Sequence, residues 1–73
     1  MTNTIKGTTK IGQIIRTTRK DQGLNQEQLA TTAGVGTRFI RELEQGKDSC
    51  HLGKVLSVLS MLGIKVTLND DTL

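Results

Sequence analysis

The chain has 73 residues, a net charge of +3 and one aromatic residue, Phe39, with a pI of about 9.4. That length makes one domain and excludes a large core: a chain this short buries only about 60% of its unfolded surface, so a single copy is marginal and self-association would help. Its one cysteine, Cys50, excludes an internal disulfide and suits a reducing compartment, while no apolar run spans a membrane and the N-terminal MTNTIKGTTK is no signal peptide, so a cytoplasmic protein with no membrane partner is expected.

Residues 1–9 read as a polar, Thr-rich, flexible arm. Thr9 is placed to cap a helix over about 10–21, with Ile11, Ile14 and Ile15 inward and Arg16, Arg19 and Lys20 outward. Gln22-Gly23 ends it. Asn25 then opens a short helix over about 26–33. Gln28 stands three positions on, the spacing of a capping box with Asn in place of the usual Ser or Thr. Leu29, Ala30 and Ala33 give that helix one apolar face. Gly34 stops it, because glycine takes the left-handed cap conformation without steric cost.

A third helix follows over about 37–45. Val35, Ile40 and Leu43 bury its inner side, and Gly46 ends it. Two helices joined so tightly must cross steeply, which leaves Thr37, Arg38, Arg41 and Glu42 free of the core. A protruding helix with arginines near its N-terminal end suits the major groove of DNA. The cations Arg16, Arg19, Lys20, Arg38, Arg41 and Lys47 gather in or beside the first three helices, while Asp70 and Asp71 lie in the tail. The net charge therefore understates the field of that half.

Lys47-Asp48-Ser49 reads as a turn, with Ser49 or His51 capping a fourth helix over about 51–62. Leu52, Val55, Leu56, Leu59 and Leu62 make one stripe on it, and Val58 and Met61 a second apolar strip. A helix apolar over so much of its circumference must be covered on more than one side, and a second copy of the chain is the economical cover. After Gly63, residues 64–68 alternate apolar and polar with the two-residue period of a strand. No second strand is on offer, and an unpaired strand leaves its backbone groups unsatisfied. A two-stranded antiparallel ribbon across a two-fold axis is therefore expected over 64–69, with 70–73 as tail. The expected dimer interface is Val58, Met61, Ile64, Val66 and Leu68.

Nothing points to catalysis. Glu27, Glu42 and Glu44 have no pocket logic, and Ser49, Cys50 and His51 are merely adjacent. No phosphate-cradling glycine loop and no metal-ligand spacing occurs, so no cofactor or metal is expected. Single-stranded RNA binding would use stacking aromatics that this chain lacks.

Taken together, Leu24-x-Gln26-x-x-Leu29-Ala30, Gly34-Val35 and Ile40-x-x-Leu43-Glu44-x-Gly46-Lys47 resemble the phage-repressor-like (Xre/Cro) helix-turn-helix family over about 10–63. The fourth helix, Gly63 and IKVTL look more narrowly like HipB-type antitoxins. That resemblance implies a mainly α, four-helix domain whose short C-terminal strand pairs across a homodimer. It implies a repressor of its own operon, bound to an inverted-repeat operator, and a HipA-like serine/threonine kinase toxin as partner. It also places Asn25, Gln26 and Lys47 at phosphates, and Thr37, Arg38, Arg41 and Glu42 at base edges. Arg19 and Glu44 match a partly buried salt bridge. Glu42 is also placed to pair with Arg38 one turn back. The chain departs from the family at Gly36, where Ser or Thr usually caps, at Phe39, where a small polar residue is common, and in lacking a fifth helix. Phe39 is expected at the core margin, with contact to a thymine methyl as the alternative. The other functional readings are a stand-alone phage- or plasmid-type repressor and a toxin-neutralising module with secondary DNA binding.

Overall fold

The computed structural model describes residues 7–48 and 51–67. Within them the chain forms four helices, α1 (Gly7–Asp21), α2 (Gln26–Ala33), α3 (Thr37–Glu44) and α4 (Leu52–Met61). No strand occurs among the described residues, and no helix there is long and apolar enough to cross a membrane.

One core holds the four together. Ile15 of α1, Leu29 and Ala30 of α2, Ile40 and Leu43 of α3, and Val55, Val58, Leu59 and Leu62 at α4 are all buried in it. Ile11, Leu24, Ala33, Val35, Phe39 and Ile64 pack around its edge. The expected inner faces of α1 and α3 thus hold, except that Ile14 is turned outward and 40% exposed, while Arg19, expected outward on α1, is buried.

The α2–α3 corner follows from local chemistry. Asn25 takes an extended backbone; its side chain accepts from the Gln28 N–H while the Gln28 side chain accepts from the Asn25 N–H, a complete capping box. Gly34 closes α2 at φ 73° and ψ 32°, and the next N–H, that of Val35, donates back to the Ala30 carbonyl at 2.9 Å. Only three residues then separate α2 from α3, and Gly36 begins α3 without a side-chain cap.

The start of α1 differs from expectation. The helix begins at Gly7, so Thr9 lies inside its first turn and is not its cap. Its Cα and Oγ1 approach Gly46 so closely that a Cβ there would sit 2.9 Å from each. At α4, His51 is the N-cap residue but its side chain makes no capping hydrogen bond; Ser49 lies outside the described residues. Gln22 fastens the far ends of α1 and α4, donating from Nε2 to the Leu62 carbonyl at 2.9 Å.

Val58 is placed differently from expectation. It is fully buried in its own subunit and has no surface to offer a second copy. The exposed apolar residues of α4 are Leu52, Leu56 and Met61 instead. Residues 64–67 form no ladder within the single chain, and Leu68 and the expected tail lie outside the described residues. Leu52, Leu56 and Val66 join Ile14, Ile11, Val55, Leu59 and Ile64 in lining an apolar groove of about 250 Å³ between α1, α4 and the segment after Gly63.

Candidate nucleic-acid interface

Burial of Ile40 and Leu43 fixes which side of α3 meets the body. Arg38, Arg41 and Gln45 are then left exposed. Spacings of three and four put them on one face. Thr37, at the N-terminal end, is half-buried, and Glu42 is half-buried beside that face. The Arg38 side chain is 84% exposed, so neither Thr37 nor Arg38 is shut away by its own subunit.

The C-terminal end of α3 is anchored by charge. The Arg19 guanidinium donates from Nε to Glu44 Oε2 at 2.6 Å and from Nη2 to Oε1 at 3.0 Å, a bidentate pair. Its Nη1 donates to the Leu24 carbonyl at 2.8 Å, which ties the pair to the loop before α2. Both side chains are nearly covered, 9% and 4% exposed. The hydrogen bonds to Glu44, against the opposing cost of burial and aided by its negative charge, raise the Arg19 pKa above its ordinary value. The guanidinium therefore stays charged at any working pH.

Gln26 joins this cluster. Its Nε2 donates to Glu44 Oε1 at 3.2 Å, so Gln26 at the start of α2 and Arg19 of α1 share the carboxylate that ends α3. The family resemblance implies Gln26 at a phosphate and Glu44 in a salt bridge, and gives no sign that the two meet. Asn25 is exposed, with its side-chain oxygen committed to the cap; its amide nitrogen has no partner in that box.

The other charges on α3 also pair. Arg38 Nε donates to Glu42 Oε2 at 3.1 Å, one helical turn apart. Lys47 Nζ stands 3.6 Å from the same oxygen. The Arg38 hydrogen bond first, and the Lys47 charge second, hold the Glu42 carboxyl below the usual glutamate range. Phe39 is half-buried and packs against the core, as the core-margin reading expects. Lys54 Nζ lies 5.8 Å from the centre of its ring, inside the range of a cation–π contact. Nothing in the sequence pattern pairs those two residues, which stand on different helices.

Comparison with known proteins agrees with this fold. The family model described as helix-turn-helix matches residues 15–69. An uncharacterized HTH-type transcriptional regulator, y4mF, from Sinorhizobium fredii is 47% identical over 68 residues, 93% of this chain and 90% of the relative. Among solved structures, the restriction-modification controller protein C.AhdI from Aeromonas hydrophila is 30% identical with a TM-score of 0.73, covering 84% of this chain and 92% of its own. A chain of the HipA-HipB-O2-O3 complex superposes with a TM-score of 0.78 at 24% identity, covering 97% of this chain and all of that one, a likeness of fold. The chain belongs to the helix-turn-helix family of transcriptional regulators, in its Xre-like, phage-repressor-like form.

Proposed function

We propose that the protein is a sequence-specific transcriptional repressor that acts as a homodimer on an inverted-repeat operator, and that it is the antitoxin of a HipA-like kinase operon which it autoregulates. The observation that carries the DNA-reading part is the exposed Arg38–Arg41 face of α3, held at its far end by the covered Arg19–Glu44 pair. Arg38 reads guanine O6 and N7 in the major groove, the commonest specific contact there. Thr37, Arg41 and Glu42 contribute along the same helix, and Asn25, Gln26 and Lys47 meet phosphates, which fix register without carrying sequence information. Two such helices on a two-fold axis meet half-sites about 34 Å apart.

The dimer reading is supported by the apolar groove. Ile14, Leu52, Leu56 and Val66 line it and are 40%, 66%, 43% and 51% exposed. Exposed apolar residues gathered along one groove are what a second copy would cover. Ile64, Val66 and Leu68 are assigned to a ribbon across that axis, with Met61 as a further exposed apolar residue; Val58 takes no part.

The antitoxin reading is supported by the likeness in fold to a chain of the HipA-HipB-O2-O3 complex. C.AhdI, a controller protein of higher identity, favours a second reading as a stand-alone regulator. One experiment separates them. The protein is expressed with its neighbouring genes and recovered under native conditions. Co-recovery of a serine/threonine kinase, whose toxicity the chain relieves, supports the antitoxin. A homodimer alone, footprinting an inverted repeat in its own promoter, supports the regulator. Failure to protect any promoter sequence sinks both.

A further inference from the structure

All four helices close with the same bond. The residue after a left-handed glycine donates its N–H to a carbonyl five residues back: Leu24 to Arg19, Val35 to Ala30, Lys47 to Glu42 and Ile64 to Leu59. In this motif the residue after the glycine ordinarily lays an apolar side chain on the helix just closed. Leu24, Val35 and Ile64 do so against the core. The helix α3 departs from the pattern. A lysine stands there, its side chain 63% exposed, and it turns toward Glu42.

That puts two cations on one oxygen. Glu42 Oε2 accepts from Arg38 Nε at 3.1 Å and faces Lys47 Nζ at 3.6 Å. Glu42 is rooted beside the body at 35% side-chain exposure, while Arg38 reaches into solvent at 84%. Binding through Nε leaves the two terminal amino groups of Arg38 uncommitted among the described residues. Those two N–H groups are the pair that matches guanine O6 and N7.

We propose that Glu42 is the positioning residue for base reading by α3. It holds Arg38 by Nε so that the guanidinium end is presented as a ready fork, and it occupies Lys47 until a phosphate replaces it. The proposal deepens the DNA-reading assignment and rests on it. A long, flexible arginine loses less freedom on reaching a base when one end of its guanidinium is already fixed. A carboxylate on the reading face also repels phosphates, which weakens binding to every wrong sequence. Glu42 thus acts in opposite directions on specific and non-specific binding, which a purely structural residue does not do.

The test uses the full chain and a pool of randomised duplexes, from which wild type, Glu42→Gln, Arg38→Ala and the double variant each select their sites. The wild-type consensus is expected to carry a guanine in each half-site that Arg38→Ala no longer requires. Glu42→Gln, with helicity unchanged by circular dichroism, is expected to lose discrimination at that guanine by about tenfold while binding poly(dI-dC) more tightly. In the Arg38→Ala background, Glu42→Gln should leave discrimination at that position unchanged. Full discrimination in Glu42→Gln, or the same loss in both backgrounds, overturns the proposal. A consensus without an Arg38-dependent guanine overturns it too, yet leaves DNA reading in place. If wild type enriches no sequence, the DNA-reading assignment fails and takes this one with it.

Discussion

Gly12 of α1 faces the Leu43 carbonyl of α3 with no room for a methyl group. A Cβ there would fall inside contact distance of that oxygen and 3.0 Å from the Glu44 carbonyl. Both neighbours are backbone, so neither can swing aside. Two effects of Gly12→Ala compete. Alanine favours a helix interior by about 1 kcal/mol over glycine. Overpacking against fixed atoms costs about 1–3 kcal/mol and here works at the C-terminal end of α3. The overpacking should win. Urea unfolding is expected to show a net loss of stability for Gly12→Ala, and a midpoint at or above wild type would show that α1 stands off from α3.

This close approach is the kind of feature that sequence does not display. Gly12 sits in a helical pattern with nothing to mark it as a contact. The capping box at Asn25 and the stop at Gly34 were legible, because each is a local interaction between residues close in the chain. The same holds for the inner faces of α2 and α3. The start of α1 was not, since Gly7 and Thr8 favour no helix by themselves and Thr9 resembles a cap. Ile14 and Val58 failed for another reason. On α1 three isoleucines, and on α4 two adjacent apolar strips, cover more of the helix than the body does, and periodicity alone cannot say which of those residues are left outside. Among the candidate site residues, the Arg38–Glu42 pair follows from helical spacing. The meeting of Gln26 with Glu44, and of Lys54 with Phe39, depends on how helices cross.

Arg19 and Glu44 set the second prediction. Arg19→Met leaves a nearly covered carboxylate with Gln26 as its remaining hydrogen-bonding side chain among the described residues and should cost about 3 kcal/mol. In Arg19→Met with Glu44→Leu no buried charge is orphaned, so the double variant should be more stable than Arg19→Met alone. Thermal melts at fixed protein concentration read both values. If the double variant melts at or below Arg19→Met, the pair is not a desolvated ion pair and α3 has another anchor.

Glu42 should show its two cations in a pH titration followed by carbon-13 NMR of the side-chain carboxyl. Its pKa is depressed in the folded chain, chiefly by the Arg38 hydrogen bond and then by the Lys47 charge. The sign follows: its contribution to stability is present above the unfolded pKa and is lost as pH falls through the lower folded value. The midpoint is expected below that of ordinary glutamate. Arg38→Ala should raise it most, Lys47→Ala less, and neither change should unfold the chain, since all three side chains reach solvent. Equal midpoints in wild type and Arg38→Ala would mean that the pair does not persist in solution.

Leu56 tests the apolar groove as a self-association surface. The residue is 43% exposed in the single chain and lines the groove with Leu52 and Val66. An aspartate there can reach water in a monomer, but in an interface that covers the groove its charge would be buried among apolar side chains with no partner. Leu56→Asp is therefore expected to sediment as a single chain where wild type sediments as two, with helicity retained. A monomer engages one half-site at a time and loses the effective concentration that linkage supplies, so affinity for a full inverted repeat should fall by about 100-fold or more, while affinity for an isolated half-site changes little. Arg38→Ala should do the reverse, keeping the dimer and relaxing the sequence preference at one base pair per half-site. A Leu56→Asp protein that remains dimeric and binds the full repeat as wild type does would move the association surface away from this groove.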